Sequence, residues 1–514
     1  MRFPLLFISA FLVSNISIAE TPWVAQNSDG SLVYRQDQLG NKIPDFSHVG
    51  YHSGIVPLPT PGVVYTVEHT DADATQILQS AIDHVSKLKP NKAGQRGAIL
   101  IKKGTYRISG SLHITTSGIV LRGEGFNDDG TILLATGATQ RSLITVGNSR
   151  RRARSEDEED TSQPITNSTP LAITSPYVPV GATSFDVEKT DSFHVGDTVV
   201  IHRPSTGSWI HALHMDQIPV HPGRKIVQWT AGSKDLYFSR VITQINDNHI
   251  TLDAPITCAL DQNYGGGFIQ SKHDDTYVNE VGIESLRGDS EYKNSTDENH
   301  GWVFIELVHA ENSWVSNVMA LHFGYSCVQV QKQCKWITIN HCACIDPISQ
   351  ITGGRRYSFA LDGELTLVQH CYARNGRHDF VMHSLSAGPN VFYDCVAELS
   401  HADTGPHHRW SVGVLYDNVR ISGVGRGTGE INIRDRGNMG TGHGWAGANQ
   451  VVWNCKADGM IIENPPTAQN WVIGSITPSM RGNGNRESIG SPVLPKSLYL
   501  AQLNQRLQDT GTKH

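Results

Sequence analysis

A four-residue signature, polar–Cys–any–small, recurs through the second half of this 514-residue chain. It occurs as His341-Cys342-Ala343-Cys344, His370-Cys371-Tyr372-Ala373, Asp394-Cys395-Val396-Ala397 and Asn454-Cys455-Lys456-Ala457. Asn317-Val318-Met319-Ala320 is the same unit with Val in place of Cys. Most copies follow a short hydrophobic run of period two: WITIN, LTLVQ, NVFYD, QVVWN. The spacing is 22 residues from Trp314 to Trp336, 29 from Cys342 to Cys371 and 24 from Cys371 to Cys395. Units of this length, with strands too short to bury themselves, predict a parallel β-solenoid in which each coil stacks on the last. Cysteines at one phase then form a ladder of small buried side chains inside the coil. The gap from Cys395 to Cys455 leaves room for at least one more coil, drawn from LYDNVRISG and EINIRDRG.

Toward the N-terminus, residues 71–88 (DADATQILQSAIDHVSKL) carry a helical period, with Ile77, Leu78, Ile82 and Val85 assigned to one face. The strands AILIKKGTYRI, LHI and GIVLRGEG follow, separated by glycine turns. A helix over the first open coil blocks edge pairing, which the end of a solenoid must prevent. This helix, then GTYRI, then SGIVLRGEG, resembles the N-terminal cap and first coils of the pectate-lyase-like, right-handed parallel β-helix superfamily, and the resemblance covers most of residues 45–475. It implies an all-β right-handed parallel β-helix with a capping helix, and a polysaccharide lyase as the activity. It does not single out one lyase family.

Residues 1–19 hold one Arg, an apolar run from Phe3, and Ser17-Ile18-Ala19 before Glu20. They read as a secretory signal peptide cleaved after Ala19, too short and too early for a membrane anchor, and lacking the Cys that lipid attachment needs. A secreted or periplasmic protein is expected. Residues 20–148 are assigned to the cap helix and first coils. Residues 149–168 (NSRRRARSEDEEDTSQPITN) are a charge run with no apolar residue to seat it, hence a solvated, flexible loop. Residues 169–260 alternate apolar and polar around turns such as Asn246-Asp247-Asn248, which predicts a small antiparallel β module inserted between coils. Its Trp209, His211, His214 and Trp229 either wall a cleft or, for the two tryptophans, pack inside the module. The main coils take residues 261–476, and a loop and helix take 477–514.

A net charge of −7 with 18% charged residues excludes a general nucleic-acid binder. Eight Cys would permit disulfides outside the cytoplasm, but the ladder places thiols in the core, and no zinc spacing is present.

The chemistry concentrates between Gln350 and Trp445, an interval with nine Arg, seven His and no Lys. Arginine presents a planar fork that matches a carboxylate or sulfate in two bonds, so this bias favours an anionic ligand. The nine Asp and Glu of the same interval are expected to pair with about half of these arginines. Counted from each ladder Cys, Arg355, His383 and His407 fall at nearly one phase, and Arg377, His378 and Asp403 at another. Two such columns would flank a groove along the solenoid axis, which suits a polymer.

β-Elimination of a uronic-acid polymer needs a cation on the carboxylate, a base for the α-proton and an acid for the leaving oxygen. His378 and His407 are the candidate bases, with His378 oriented by a neighbouring carboxylate, and Arg377, His408 and Tyr357 complete the catalytic set. Tyr416 is a further candidate acid. Arg355, Arg356, His383, Arg409, Trp410, Arg436, His443 and Trp445 are the candidate substrate-binding residues, with Trp410 as an aromatic platform. No cofactor is expected, because no tight Asp/Glu cluster supports Ca²⁺. The substrate class is an anionic, uronate-containing polysaccharide: pectin, alginate, or a glycosaminoglycan such as chondroitin or dermatan sulfate. The alternatives are a β-helix hydrolase using Asp379 and Asp403, and a non-catalytic glycan-binding β-helix.

Overall fold

The computed structural model describes residues 22–148, 166, 168–223, 225–272 and 276–511. The signal-peptide segment 1–19 and nearly all of the charged run 149–168 lie outside them. The chain folds as a right-handed parallel β-helix whose coils each contribute three short strands. One coil runs Leu367–Gln369, Tyr372–Arg374 and His378–Met382, and the next runs Asn390–Tyr393, Val396–Ser400 and Gly405–Pro406. Successive coils pair in parallel on every face: Leu367 with Val391, Tyr372 with Val396, Val381 with Gly405.

The repeat signature marks the corner between the first two strands. Asn317, His341, His370, Asp394, Asn418 and Asn454 all stand there with φ between 47° and 57°. Asn, Asp and His tolerate this left-handed conformation better than other side chains, which is why the position is polar. The residue after each corner turns inward. Cys342, Cys371, Cys395 and Cys455 stack in register, with Val419 filling the coil between the last two. Each thiol contacts the carbonyl of the coil before it, Cys342 to Val315, Cys371 to Ile339, Cys395 to Val368 and Cys455 to Tyr416, at 3.2–3.7 Å. All eight cysteines are free and buried. LYDNVRISG supplies the first two strands of the extra coil, whereas EINI (Glu430–Ile433) is its third strand and not a coil of its own.

Helix α1 (Thr75–Ser86) buries Leu78, Ala81, Ile82 and Val85 in the solenoid core. Ile77 is 45% exposed, contrary to its assignment to the apolar face. Five residues separate it from Ile82, about 140° around the helix, so the two cannot share a stripe. Residues 22–55 are not part of a coil. They run as a strap over the outside of the first strands, from Trp23 against Trp471 (5.6 Å) back to Tyr51 against Trp314 (5.2 Å). The C-terminal helix α2 (Leu498–Asp509) lies beside the strap, and Gln502 and Arg506 hydrogen-bond to the strap backbone.

The inserted antiparallel sheet pairs Thr198–Arg203 with Leu236–Asn246 and with Phe268–Ser271, so it extends past residue 260. The coil closes directly across the insertion, because Gly282–Ser290 pairs with Ile119–Arg122 and Thr131–Ala135. A buried pin fixes the module to the solenoid: Arg240 donates to Glu364 (2.7 Å) and to the Gly388 carbonyl (2.6 Å). Among the described residues no helix is long and apolar enough to cross a membrane.

Candidate active site

The site lies on the outside of the third face, where strands Tyr357–Leu361 and His378–Met382 are neighbours and Tyr357 pairs with His378. Phe359 and Phe380 lie in the solenoid core, and Ala360 and Val381 pack on the outside with Tyr357. Tyr357 and His378 point out while Ser358 and Asp379 also turn inward, so two consecutive residues face the core and the strict alternation of a strand is broken there. The loops after the third strands bring in the rest: His383, then His407, His408 and Arg409, then Arg436 and His443.

Tyr357 sits at the centre, with the rings of His378, His383 and His407 at 5.0, 5.3 and 5.3 Å. Its hydroxyl bonds His407 Nε2 at 3.2 Å, and His407 Nδ1 lies 3.3 Å from His408 Nδ1. His443 closes the group, 5.0 Å from His407 and 5.1 Å from His408. His383 reaches Tyr325, whose hydroxyl is 3.4 Å from its Nε2. His378 Nδ1 donates to the Asp403 carbonyl at 2.6 Å and lies 3.0 Å from the Asp403 carboxylate. That bond fixes the tautomer: Nδ1 carries the proton and Nε2 the lone pair. His378 Nε2 is buried and has no partner.

Three guanidinium groups surround these rings. Arg377 bonds the Gly353 carbonyl and approaches the Tyr357 hydroxyl at 3.5 Å. Arg436 pairs with Asp403 and leaves its Nε unpartnered. Arg409 spends one nitrogen on Thr441 and leaves Nη1 without a partner. Arg409 and Trp410 are consecutive left-handed residues, φ 54° and 62°. Such a conformation costs about 1–3 kcal/mol per residue, and strain of this kind clusters at functional sites.

Burial and neighbouring cations hold the imidazoles neutral. Burial lowers the pKa of His378 and outweighs the Asp403 carboxylate, which acts to raise it. Burial, with His378 and Arg436 beside it, holds His407 well below its usual range, and His408 is held down by burial and Arg409. His443 falls to about 3 through burial and then Arg409 and Arg436. Burial pushes the Asp403 carboxyl up, but Arg436, His378 and Asn432 outweigh it and keep it ionised. The result is a buried cluster of neutral bases with cations at its edge. Several of its donors and acceptors point at nothing.

Several sequence-based assignments are corrected. Trp410 is fully buried, packed edge-on against Trp209 of the module at 4.9 Å, and offers no face to a sugar. Trp445 is half-buried against the same module core. Tyr416 is fully buried inside the coil, stacked on Phe392 at 5.3 Å, and cannot serve as an acid. Arg355 is held in two bonds by Glu298, at 2.6 and 2.9 Å. Arg356 is buried and bonds the Ser349 carbonyl at 2.6 Å, forming a backbone corner and not a ligand contact. The carboxylate beside His378 is Asp403. Asp379 is inside the coil, where the hydroxyls of Ser358 (2.6 Å) and Ser400 bond it and burial raises its pKa. His383 and His407 do share a column, since Met382 pairs with Pro406, but Arg355 does not join it. The loop before Tyr357 is longer than the loop before His378, which shifts the count. His211 and His214 stand away from the cluster on the module, His211 with Asp216 at 2.9 Å, and Trp209 and Trp229 pack in the module core.

Tyr325, Asn432 and Thr441 are members of the site that the sequence reading did not assign to it, and Asp403, expected in the second column and as a hydrolase carboxylate, bonds His378 and Arg436. The module also buttresses the site. Val227 donates to the Thr441 carbonyl at 2.8 Å, and a Cβ at Gly444 would come within 2.5 Å of Met215 and 2.9 Å of Trp229. The loop that carries Thr441 and His443 is thus fixed from the module side.

No protein-family model and no curated protein matches the sequence. Solved structures with a similar outline include the tailspike protein gp49 from Pseudomonas phage LKA1, at 13% identity over 81% of this chain and 70% of that one, TM-score 0.37. Others are a tailspike protein of E. coli bacteriophage HK620, at 11% identity over 90% and 63%, TM-score 0.38, and the catalytic domain of a GH87 α-1,3-glucanase in complex with nigerose, at 9% over 85% and 67%, TM-score 0.36. These likenesses assign no activity, and the chain is placed by its fold alone.

Proposed function

We propose that this protein is a polysaccharide lyase that cleaves an anionic, uronate-containing glycan by β-elimination. The observation that carries the reading is the buried juxtaposition of His378 Nε2, unpartnered and tautomerically fixed, with the Tyr357 hydroxyl and the unpartnered nitrogens of Arg409 and Arg436. In this reading Arg409 holds the uronate carboxylate, with Arg377 beside Tyr357, and the carboxylate is bound more tightly as negative charge develops on it. His378 Nε2 removes the α-proton. Tyr357, its hydroxyl oriented by His407, protonates the departing glycosidic oxygen, and the phenolate regains a proton from the neighbouring His378 imidazolium, which restores both groups. Asp403 orients His378 and stabilises the imidazolium that forms.

What supports elimination over hydrolysis is the placement of the acids. Inverting hydrolysis needs two carboxyls facing the bond about 6.5–9.5 Å apart, and Asp379 faces the coil interior. We read residues 1–19 as an export signal, so the enzyme would act outside the cytoplasm. The test is digestion of polygalacturonate, alginate, chondroitin sulfate and dermatan sulfate. New ultraviolet absorbance from an unsaturated uronate end is expected with one of them. New reducing ends without that absorbance would make the protein a hydrolase.

A further inference from the structure

North of the histidine cluster, on the same outer face, an aromatic row leads back toward the first coils. Trp302 precedes Val303, which pairs with Ser326, so Trp302 and Tyr325 occupy neighbouring coils, and Tyr357 lies on the coil after that. Their rings follow one another: Trp302 to Tyr325 at 6.3 Å and only 18° from parallel, Tyr325 to Tyr357 at 5.2 Å. Tyr325 and Tyr357 are buried, whereas Trp302 keeps part of its surface open.

The indole also has a seat. A Cβ at Gly324 would lie 2.4 Å from Cε3 and Cζ3 of Trp302, so only glycine lets the ring lie flat on that strand. A large, partly exposed aromatic seated flat on glycine, at the end of a row that leads to a charged cluster, matches the apolar face of a pyranose ring. Its indole dipole and π-face suit C–H groups better than anions. No charged group is needed at that end. Of the two arginines before Tyr357, Arg355 is taken up by Glu298 and Arg356 bonds the Ser349 carbonyl.

We infer that Trp302 is a saccharide-binding platform two coils from the reacting bond, and that the glycan lies along the solenoid axis with its far end stacked on this indole. Neighbouring parallel strands are about 4.8 Å apart, so the platform is about 10 Å from Tyr357 along the axis. The inference rests on the lyase reading for what happens at Tyr357, but the platform itself binds a sugar ring and not a charge. Binding at a remote subsite of this kind raises affinity for long chains and helps align the reacting unit.

The test is affinity electrophoresis of the full chain through native gels containing polygalacturonate, alginate or chondroitin sulfate. Wild type is compared with W302L, W302F and R409A, their folding checked by thermal melting. Leucine keeps volume over Gly324 and removes the π-face; phenylalanine keeps both. In the gel that retards wild type most, W302L should bind about 3- to 10-fold more weakly at low and high salt alike, and W302F should keep most of the affinity. R409A should lose affinity at low salt and converge on wild type as salt rises. Equal retardation of W302L and wild type overturns the platform. It leaves the lyase reading standing if R409A still shows its salt-dependent loss. If none of the three polymers retards wild type at low salt, the platform and the lyase reading fall together.

Discussion

His378 and Asp379 are adjacent on one strand and face opposite sides of one sheet. Inside, Asp379 is surrounded by hydroxyls: Ser358 and Ser400 both donate to it. Outside, His378 has one nitrogen tied to Asp403 and the other, equally buried, tied to nothing. Both groups are desolvated, and burial disfavours the charged form of each. The difference is satisfaction. A buried polar group with all its partners belongs to the architecture, and one left open beside guanidinium nitrogens that are open too marks the candidate site.

The largest test of this contrast is turnover. His378→Ala and His407→Ala should each lower kcat by about 10²–10⁴-fold with substrate affinity nearly unchanged. If both variants are folded and keep near wild-type turnover, the outer cluster is not the catalytic one. Arg409→Lys comes next. Charge survives but the fork does not, so kcat/KM should fall by about 10- to 100-fold, with KM and kcat both moving. Full rescue by lysine would mean that a point charge suffices.

The inner group should respond in stability instead. Asp379→Ala strands two buried hydroxyls and should destabilise by about 1–3 kcal/mol, read from denaturant unfolding, with turnover per folded molecule unchanged. Asp417 gives the same contrast a pH signature. Burial raises its pKa to about 7, although Ser497, the Tyr499 amide and Asn418 bond it. An acid whose pKa is higher folded than unfolded binds its proton more tightly when folded. Stability should therefore decline as pH rises from about 4 to 7 and level off above that. Asp417→Asn should flatten that decline; an unchanged slope would place the titration elsewhere.

The smallest effect belongs to the residue that joins the two descriptions. Asp403 raises the pKa of His378 against the effect of burial. Asp403→Asn should therefore lower that pKa further and move the acidic limb of the kcat profile to lower pH, with a modest loss of rate. A limb that stays in place would show that His378 does not titrate in the reaction.

Much of the fold was legible because the corner residue is a local requirement. Asn, Asp or His at a left-handed corner, followed by a small inward residue, shows in the sequence at six successive coils, from Asn317 to Asn454. The site was half legible. The loops were visible from their Arg and His content, but strict alternation along His378-Asp379-Phe380 would put His378 on the core side with Phe380, and the break that turns it outward was not visible. Pairings across coils were not legible, because they depend on loop lengths. Asp403 reaches His378 from the next coil, and Glu298 neutralises Arg355 from two coils earlier. The burial of Trp410 came from a module inserted far upstream in the chain, and no local pattern announces that.

The strap of residues 22–55 changes how such a solenoid should come apart. A stack of repeats held only by its neighbours can fray from either end, one coil at a time. Here the strap begins on the last coils, where Trp23 meets Trp471 and the Trp23 amide bonds Glu487. It ends on the early ones, where the Tyr51 hydroxyl bonds Glu280 and Gly50 bonds Leu365. Loosening the last coil therefore frees a segment that also covers the middle and the start. The ends cannot peel independently, so unfolding should proceed as one cooperative event. A sequential unzipping would otherwise let the loops of the candidate site open before the rest of the molecule.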